Sequence, residues 1–212
     1  MESDEEKEEP MSTGEAEGRK PRADVLRNRA SILEVAQRHF LAHGFGTSLE
    51  SVAKEAGVGP GTLYRHFPTR EALLAAVLQL RSEELVARRA ELTQVADPDE
   101  ALRQWMRTLE DYFSAFSGLP EPLMVAARER EPENPLTLPC DNLIATTEEY
   151  LKAAQLKGHA RSSIRGYDLF LAAISVAWLK GTGAADDASL TALRTIVETG
   201  YSSGSPRQVR KR

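Results

Sequence analysis

The sequence predicts an all-α protein, and three observations carry that expectation. Alanine, leucine, glutamate and arginine dominate the 212 residues, aromatics make up 6%, and runs of β-branched residues are absent, a composition that favours helices over strands. Apolar residues recur at three- and four-residue spacing along most of the chain, the period of a one-faced helix. Between these stretches stand helix starts and stops, such as Asp97-Pro98 before one stripe and Gly44, Gly57, Gly118 and Gly158 after others. The expected architecture is an N-terminal three-helix unit containing a helix-turn-helix, followed by a C-terminal helical bundle.

Residues 1–18 hold eight acidic side chains against Lys7, a local charge of −7 inside a chain of net charge −5, and almost no large apolar residue. Such a segment cannot build a core and is expected to be disordered. It reads either as a solubilising tail or as an acidic competitor for the basic segment that follows. That segment, residues 19–70, carries +5, the footprint an anionic partner requires. Its first residues, Arg19-Lys20-Pro21-Arg22, form a basic arm suited either to phosphates and a minor groove or to a plain solvated linker. A first helix is expected from Ala23 to His43, with Leu26, Ala30, Leu33, Ala36 or Gln37, and Phe40 facing inward and Gly44 ending it.

The next stretch is TSLESVAKEAGVGPGTLYRHFPTR, Thr47 to Arg70. Leu49, Val52, Ala53 and Ala56 give one apolar stripe, Thr47 and Glu50 fit a capping box with Ser48 as the alternative cap, and Gly57 stops the helix. Gly59-Pro60-Gly61 marks a tight turn. A short second helix follows with Leu63 and Phe67 inward, Thr62, Arg65 and His66 outward, and Tyr64 at the edge; Pro68 closes it and Thr69 caps the next helix. The pattern is a helix-turn-helix sized to lay its second helix in a DNA major groove. Arg65 offers a forked donor suited to guanine or to phosphate, or else a surface arginine paired with an acid.

In AGVGPGTLYRHFPTREALL, with a long helix before it and another after it, the chain resembles the DNA-binding signature of the TetR family of bacterial transcriptional regulators, over about Arg22 to Val77. The resemblance implies that Tyr64, His66 and Arg70 meet the phosphate backbone and that Thr62 contacts DNA. Arg65, Thr62 and the turn residues Gly59, Pro60 and Gly61 would then share the base reading, with Thr47 and Ser48 completing the DNA-facing set. The small side chains of this turn depart from relatives with long polar residues there.

Beyond Arg70 a single long helix, TREALLAAVLQLRSEELVARRAEL, is expected to join two domains. Helices follow from Asp97-Pro98 to Phe116, from Leu123 to about Arg130, from Cys140 to Lys157, from Ser162 or Ser163 to the Gly181–Gly183 region, and from Asp186 or Asp187 to Tyr201. The domain expectation is a tail at 1–18, a DNA-binding unit at 19–70, a ligand-binding and dimerisation domain at 71–203 and a basic tail at 204–212. Family members use these later helices to dimerise and to enclose a small-molecule cavity, and the match here weakens to helix number and order. Trp105, Met106, Tyr112, Phe113, Phe116 and Met124 are the candidate pocket residues, and a plain hydrophobic core explains them equally. Tyr167, Phe170, Ile174, Trp178, Leu193 and Val197 are the candidate dimer face, because the apolar sides of the last two helices exceed what one partner helix covers.

Catalytic chemistry has no candidate. His39 and His43 lie four apart but lack the carboxylate of a zinc hydrolase motif, and Gly57-Val58-Gly59-Pro60-Gly61 follows no strand. Neither a cofactor nor a metal is expected. The one cysteine, Cys140, excludes an intramolecular disulfide and suits a reducing cytoplasm. No apolar run is long enough for a bilayer, and no signal peptide is evident. The expected protein is therefore a cytoplasmic, homodimeric repressor that binds a double-stranded DNA operator and is released by a small apolar or amphipathic ligand. The alternative is a ligand-independent DNA-binding co-regulator or architectural protein, which would carry the same head over a second domain without a cavity.

Overall fold

The computed structural model describes residues 19–204, with side chains from residue 23 onward. The acidic segment 1–18 and the basic tail after Gly204 lie outside the described residues, as do the side chains of the basic arm. Ten helices and no strand occur among the described residues: α1 (Arg19–His43), α2 (Leu49–Glu55), α3 (Pro60–His66), α4 (Arg70–Leu80), α5 (Ser82–Leu92), α6 (Pro98–Phe113), α7 (Pro120–Glu129), α8 (Thr137–Leu156), α9 (Gly166–Thr182) and α10 (Asp187–Tyr201).

The first three helices wrap a small core of Ile32, Val35, Ala36, Phe40, Leu49, Val52, Ala53, Leu63 and Phe67. α1 starts at Arg19, so the backbone of the expected arm is helical. Its inward face differs from the expectation as well. Leu26 is 68% exposed and burial begins at Ile32, because the first turns of α1 reach past the helices that cover the rest of it. α2 is capped by Ser48 rather than Thr47: the Ser48 hydroxyl accepts from the Ser51 N–H at 3.2 Å and donates to Glu50 at 2.8 Å. Thr69 caps α4 as expected, accepting from the Ala72 N–H at 3.0 Å.

The long helix after Thr69 is two helices. The break falls at Arg81 (φ −91, ψ −3). Its N–H bonds back only three residues, to the Leu78 carbonyl, and the Ser82 hydroxyl takes the Gln79 carbonyl at 2.7 Å. A serine competing for helix carbonyls weakens the ladder at that point. The Arg81 guanidinium lies over Tyr112 and Phe116, 5.3 and 5.5 Å from their ring centres, and this cation–π platform on and just beyond α6 holds the corner.

α6, α8 and α9 pack on one another to form the centre of the C-terminal bundle, with α7, α5 and α10 against their outer sides. α9 opens at Gly166, three or four residues later than expected, because the Asp168 carboxylate accepts from the Arg165 N–H at 3.0 Å and closes the helix start there. A Cβ at Gly166 would stand 2.7 Å from the Glu148 backbone nitrogen, so glycine lets α9 cross α8 closely. Buried Trp105 donates to the Thr147 hydroxyl at 3.0 Å, which satisfies both polar groups inside the bundle.

The two halves meet at the end of α1. Gly44 (φ +74) presses on Ser117, where a Cβ would lie 2.5 Å from the carbonyl oxygen. The Phe45 N–H donates to that carbonyl at 2.7 Å, and Phe40 and Phe116 stack with ring centres 6.0 Å apart.

Candidate functional site

α3 presents the polar face that the helix-turn-helix pattern implies. Leu63 is buried, while Gly61, Tyr64 and Arg65 are exposed and Thr62 and His66 are half-exposed. Arg65 has no carboxylate partner among the described residues: its Nε donates to the Gly61 carbonyl at 3.1 Å and its Nη2 lies 3.5 Å from the Thr62 hydroxyl. It is folded back along its own helix and held only by neutral groups. Nothing lies within 4 Å of a Cβ built on Gly59 or Gly61. Neither glycine has a positive φ, so the fold itself does not require them. Their smallness leaves the start of α3 open to close approach from outside, although the Thr62 and Leu63 N–H groups already donate to the Gly59 carbonyl at 2.9 and 3.1 Å. Ser48, at the start of α2, is exposed beside this face.

Two expected members of the set are held differently. Thr47 is 8% exposed, and its hydroxyl lies 3.2 Å from His39 Nδ1. Arg70 reaches across the α1–α2 turn, where Nη1 donates to the carbonyls of Phe45 at 2.6 Å and Thr47 at 2.5 Å, and its guanidinium lies 5.5 Å from the Phe45 ring centre. Arg70 thus ties the first turn of α4 to the segment that launches α2. On the other side of this segment Glu55 accepts from Arg38 and pairs with His39, each at 2.8 Å. Those hydrogen bonds hold the Glu55 carboxyl below the usual range. Together the contacts fix the angle of α2, and through it α3, on α1.

The bundle contains a cavity of about 360 Å³ bounded by four helices, within the usual size for a small-molecule site. α4 contributes Ala75, Leu78 and Gln79, α5 contributes Ser82, Leu85, Val86 and Arg89, α6 contributes Trp105 and Tyr112, and α8 lines it from Leu138 to Thr146. Tyr112 is buried, which pushes its phenol up to about 12, so it stands as a neutral donor to the Leu78 carbonyl at 3.3 Å. Of the expected pocket residues, Trp105 and Tyr112 line this space and four do not. Phe113 packs edge-on to Phe170, Phe116 packs on Phe40, and Met124 lies half-buried on α7 against the core. Met106 faces a narrow cleft under α10 instead, where buried Glu110 pairs with Arg194 at 2.7 Å. The α4, α5 and α8 walls escaped sequence reading because their apolar spacing is the same as that of a packed core.

The expected dimer face divides in two. Phe170 and Ile174 are fully buried against α6 and the rest of the core, so they cannot face a partner. Trp178 is 47% exposed, Ile196, which the sequence reading passed over, is 67% exposed, and Tyr167, Leu193 and Val197 are half-buried.

A helix-turn-helix head over a helical bundle with an open-sided cavity defines a class, the bacterial transcriptional regulators. Residues 32–77 match the bacterial regulatory proteins of the tetR family, and residues 97–202, half of the chain, match the C-terminal domain of SbtR-like transcriptional regulators. The chain belongs to the TetR family. It is similar to the transcriptional regulator SCO0520 of Streptomyces coelicolor, at 34% identity and a TM-score of 0.52, over 84% of this chain and 99% of that one. The regulator LmrA of Bacillus subtilis is 31% identical over 53% of this chain and 63% of its own length. The chain spans less than two thirds of the length of the curated relatives it matches first. A structure of RolR in complex with resorcinol aligns with a TM-score of 0.60 over 85% of this chain and 90% of RolR; at 17% identity it shows the fold alone. Family members of this kind are transcription factors and not enzymes. No helix among the described residues is long and apolar enough to cross a membrane.

Proposed function

We propose that the protein is a homodimeric repressor that binds a near-palindromic DNA operator and is released when a small molecule enters the cavity. The carrying observation is that α4 is shared. It follows α3 after Phe67, Pro68 and Thr69, its first residue grips the α1–α2 turn, and its Ala75, Leu78 and Gln79 form one wall of the cavity. RolR in complex with resorcinol offers a parallel for a ligand in this fold. Residues 19–70 act as the reading head and 71–203 as the ligand and dimerisation domain. Ser48, Gly59 to Thr62, Tyr64, Arg65 and His66 face the DNA, and the outer sides of α9 and α10 around Trp178, Leu193 and Ile196 join the two copies.

In a dimer the two heads must match half-sites about 34–36 Å apart per helical turn. A ligand that pushes on Leu78 and Gln79 moves α4, and with it both heads, so contacts in both half-sites weaken together. A coupling of about 1–3 kcal/mol lowers operator affinity roughly 5–150-fold. The test is selection of bound sequences from random DNA, followed by a compound screen against the operator complex. Compounds that occupy the cavity and release the DNA are expected. An occupied cavity with an unmoved operator curve would favour the ligand-independent co-regulator.

A further inference from the structure

The lining of the cavity specifies more than an apolar occupant. Its walls are mainly aliphatic and aromatic, with Gln79, Ser82, Asn142 and Thr146 as polar members, and Arg89 is the one charged side chain on them among the described residues. Arg89 is 48% exposed at the rim, where Nη2 pairs with Glu149 at 2.5 Å and Nη1 lies 3.5 Å from the Thr146 hydroxyl. The Thr146 proton is already given to the Asn142 carbonyl at 2.9 Å, so its free lone pairs face Arg89. One turn earlier on the same face of α8, the side-chain amide of Asn142 also lines the cavity and has no hydrogen-bond partner among the described residues. Guanidinium and amide therefore flank one spot at the edge of a largely apolar space.

Resting on the reading of this cavity as the ligand site, we infer that it takes an amphipathic monocarboxylate, with the apolar body against Trp105, Leu78 and Leu143 and the carboxylate on Arg89 and Asn142. The charge count favours a monoanion. Arg88, the next cation, does not line this cavity, so one guanidinium serves the ligand, and its planar fork matches a carboxylate bidentately. The neighbouring hollow beyond Tyr112 sets Glu84 and Asp111 against Arg81 and Arg88, so it carries no net positive charge to draw an anion away. Glu149 is 63% exposed at its side chain, and an ion pair of that kind is weak, so the ligand carboxylate can displace it. Glu149 is then a competitor that holds Arg89 in place while the cavity is empty.

The experiment uses the full chain and three acid–amide pairs: 4-phenylbutyrate, naphthalene-2-carboxylate and decanoate, each with its primary amide. Calorimetric titration is expected to show at least one acid binding tenfold or more tighter than its amide. Arg89→Gln should erase that preference by weakening the acid far more than the amide, and Glu149→Gln should tighten acid binding severalfold. Both positions are exposed, and circular dichroism verifies folding. Acids that bind no better than their amides, no binding by any acid at millimolar concentration, or a preference that survives Arg89→Gln would overturn the inference. Operator affinity measured on the same samples separates the two claims. Acids that bind through Arg89 without moving the operator curve uphold the ligand class and remove the repressor reading. Uncharged or cationic compounds that release the operator while acids stay unbound do the reverse.

Discussion

Arg70 spends two hydrogen bonds on the carbonyls of Phe45 and Thr47 and stacks on the Phe45 ring. Both bonds come from Nη1, and so engaged the guanidinium positions the start of α2. Arg70→Ala is accordingly expected to weaken operator binding by loosening α2 and α3, with the slope of log affinity against log salt unchanged. A true phosphate contact would lower that slope by about one unit, so a salt titration of the variant decides between the two roles. The sequence made Arg70 legible as a basic residue beside the reading helix, but a side chain with a free choice of direction can turn either way. The cap shows the same limit. Thr47 and Ser48 both suit a helix start, and the deciding contact is the His39 ring beneath Thr47, eight residues away.

At the level of elements, α2 and α3 were legible because every cue for them is local: caps, a turn, and one apolar stripe each. α4 and α5 were read as one helix because nothing in their own residues reveals the Tyr112 and Phe116 rings that capture Arg81. α9 was misread for a related reason. Its apolar residues run almost all round it, and only the packing of α6 and α8 shows which side is inner. α3 supplies the sharpest test at this scale. A Cβ at Gly61 meets nothing within 4 Å among the described residues, and alanine in a helix is favoured over glycine by about 0.5–1 kcal/mol. Gly61→Ala should therefore raise thermal stability slightly while lowering operator affinity several-fold. A variant that gains stability and keeps full affinity would show that DNA does not approach α3 there.

For the whole molecule, the exposed sides of α9 and α10 and the buried ones make opposite predictions. Ile196→Glu places a charge on a face that is open in the single chain, and it should yield folded monomers that bind the operator poorly. Ile174→Glu buries a charge in the core, where an unpaired carboxylate is very costly, and should abolish folding. Light scattering and circular dichroism of the two variants check this. A dimer that survives Ile196→Glu would move the contact to another face. The general architecture was legible because helix number, order and composition are properties of the chain alone. The cavity was only partly so, since four separated helices wall it.

The chain has two tryptophans, and the fold puts them to different uses. Trp105 is 2% exposed, hydrogen-bonded to Thr147 and 5.4 Å from the Tyr150 ring centre on the cavity wall. Trp178 stands in the open on α9. Their emission should differ in colour, with Trp105 blue and sheltered from iodide and Trp178 red and readily quenched. An unlabelled sample thus carries two native optical reporters, one tuned to occupancy of the interior and one to association of the copies. Spectral deconvolution against concentration and added compound would then show in which order the two events occur.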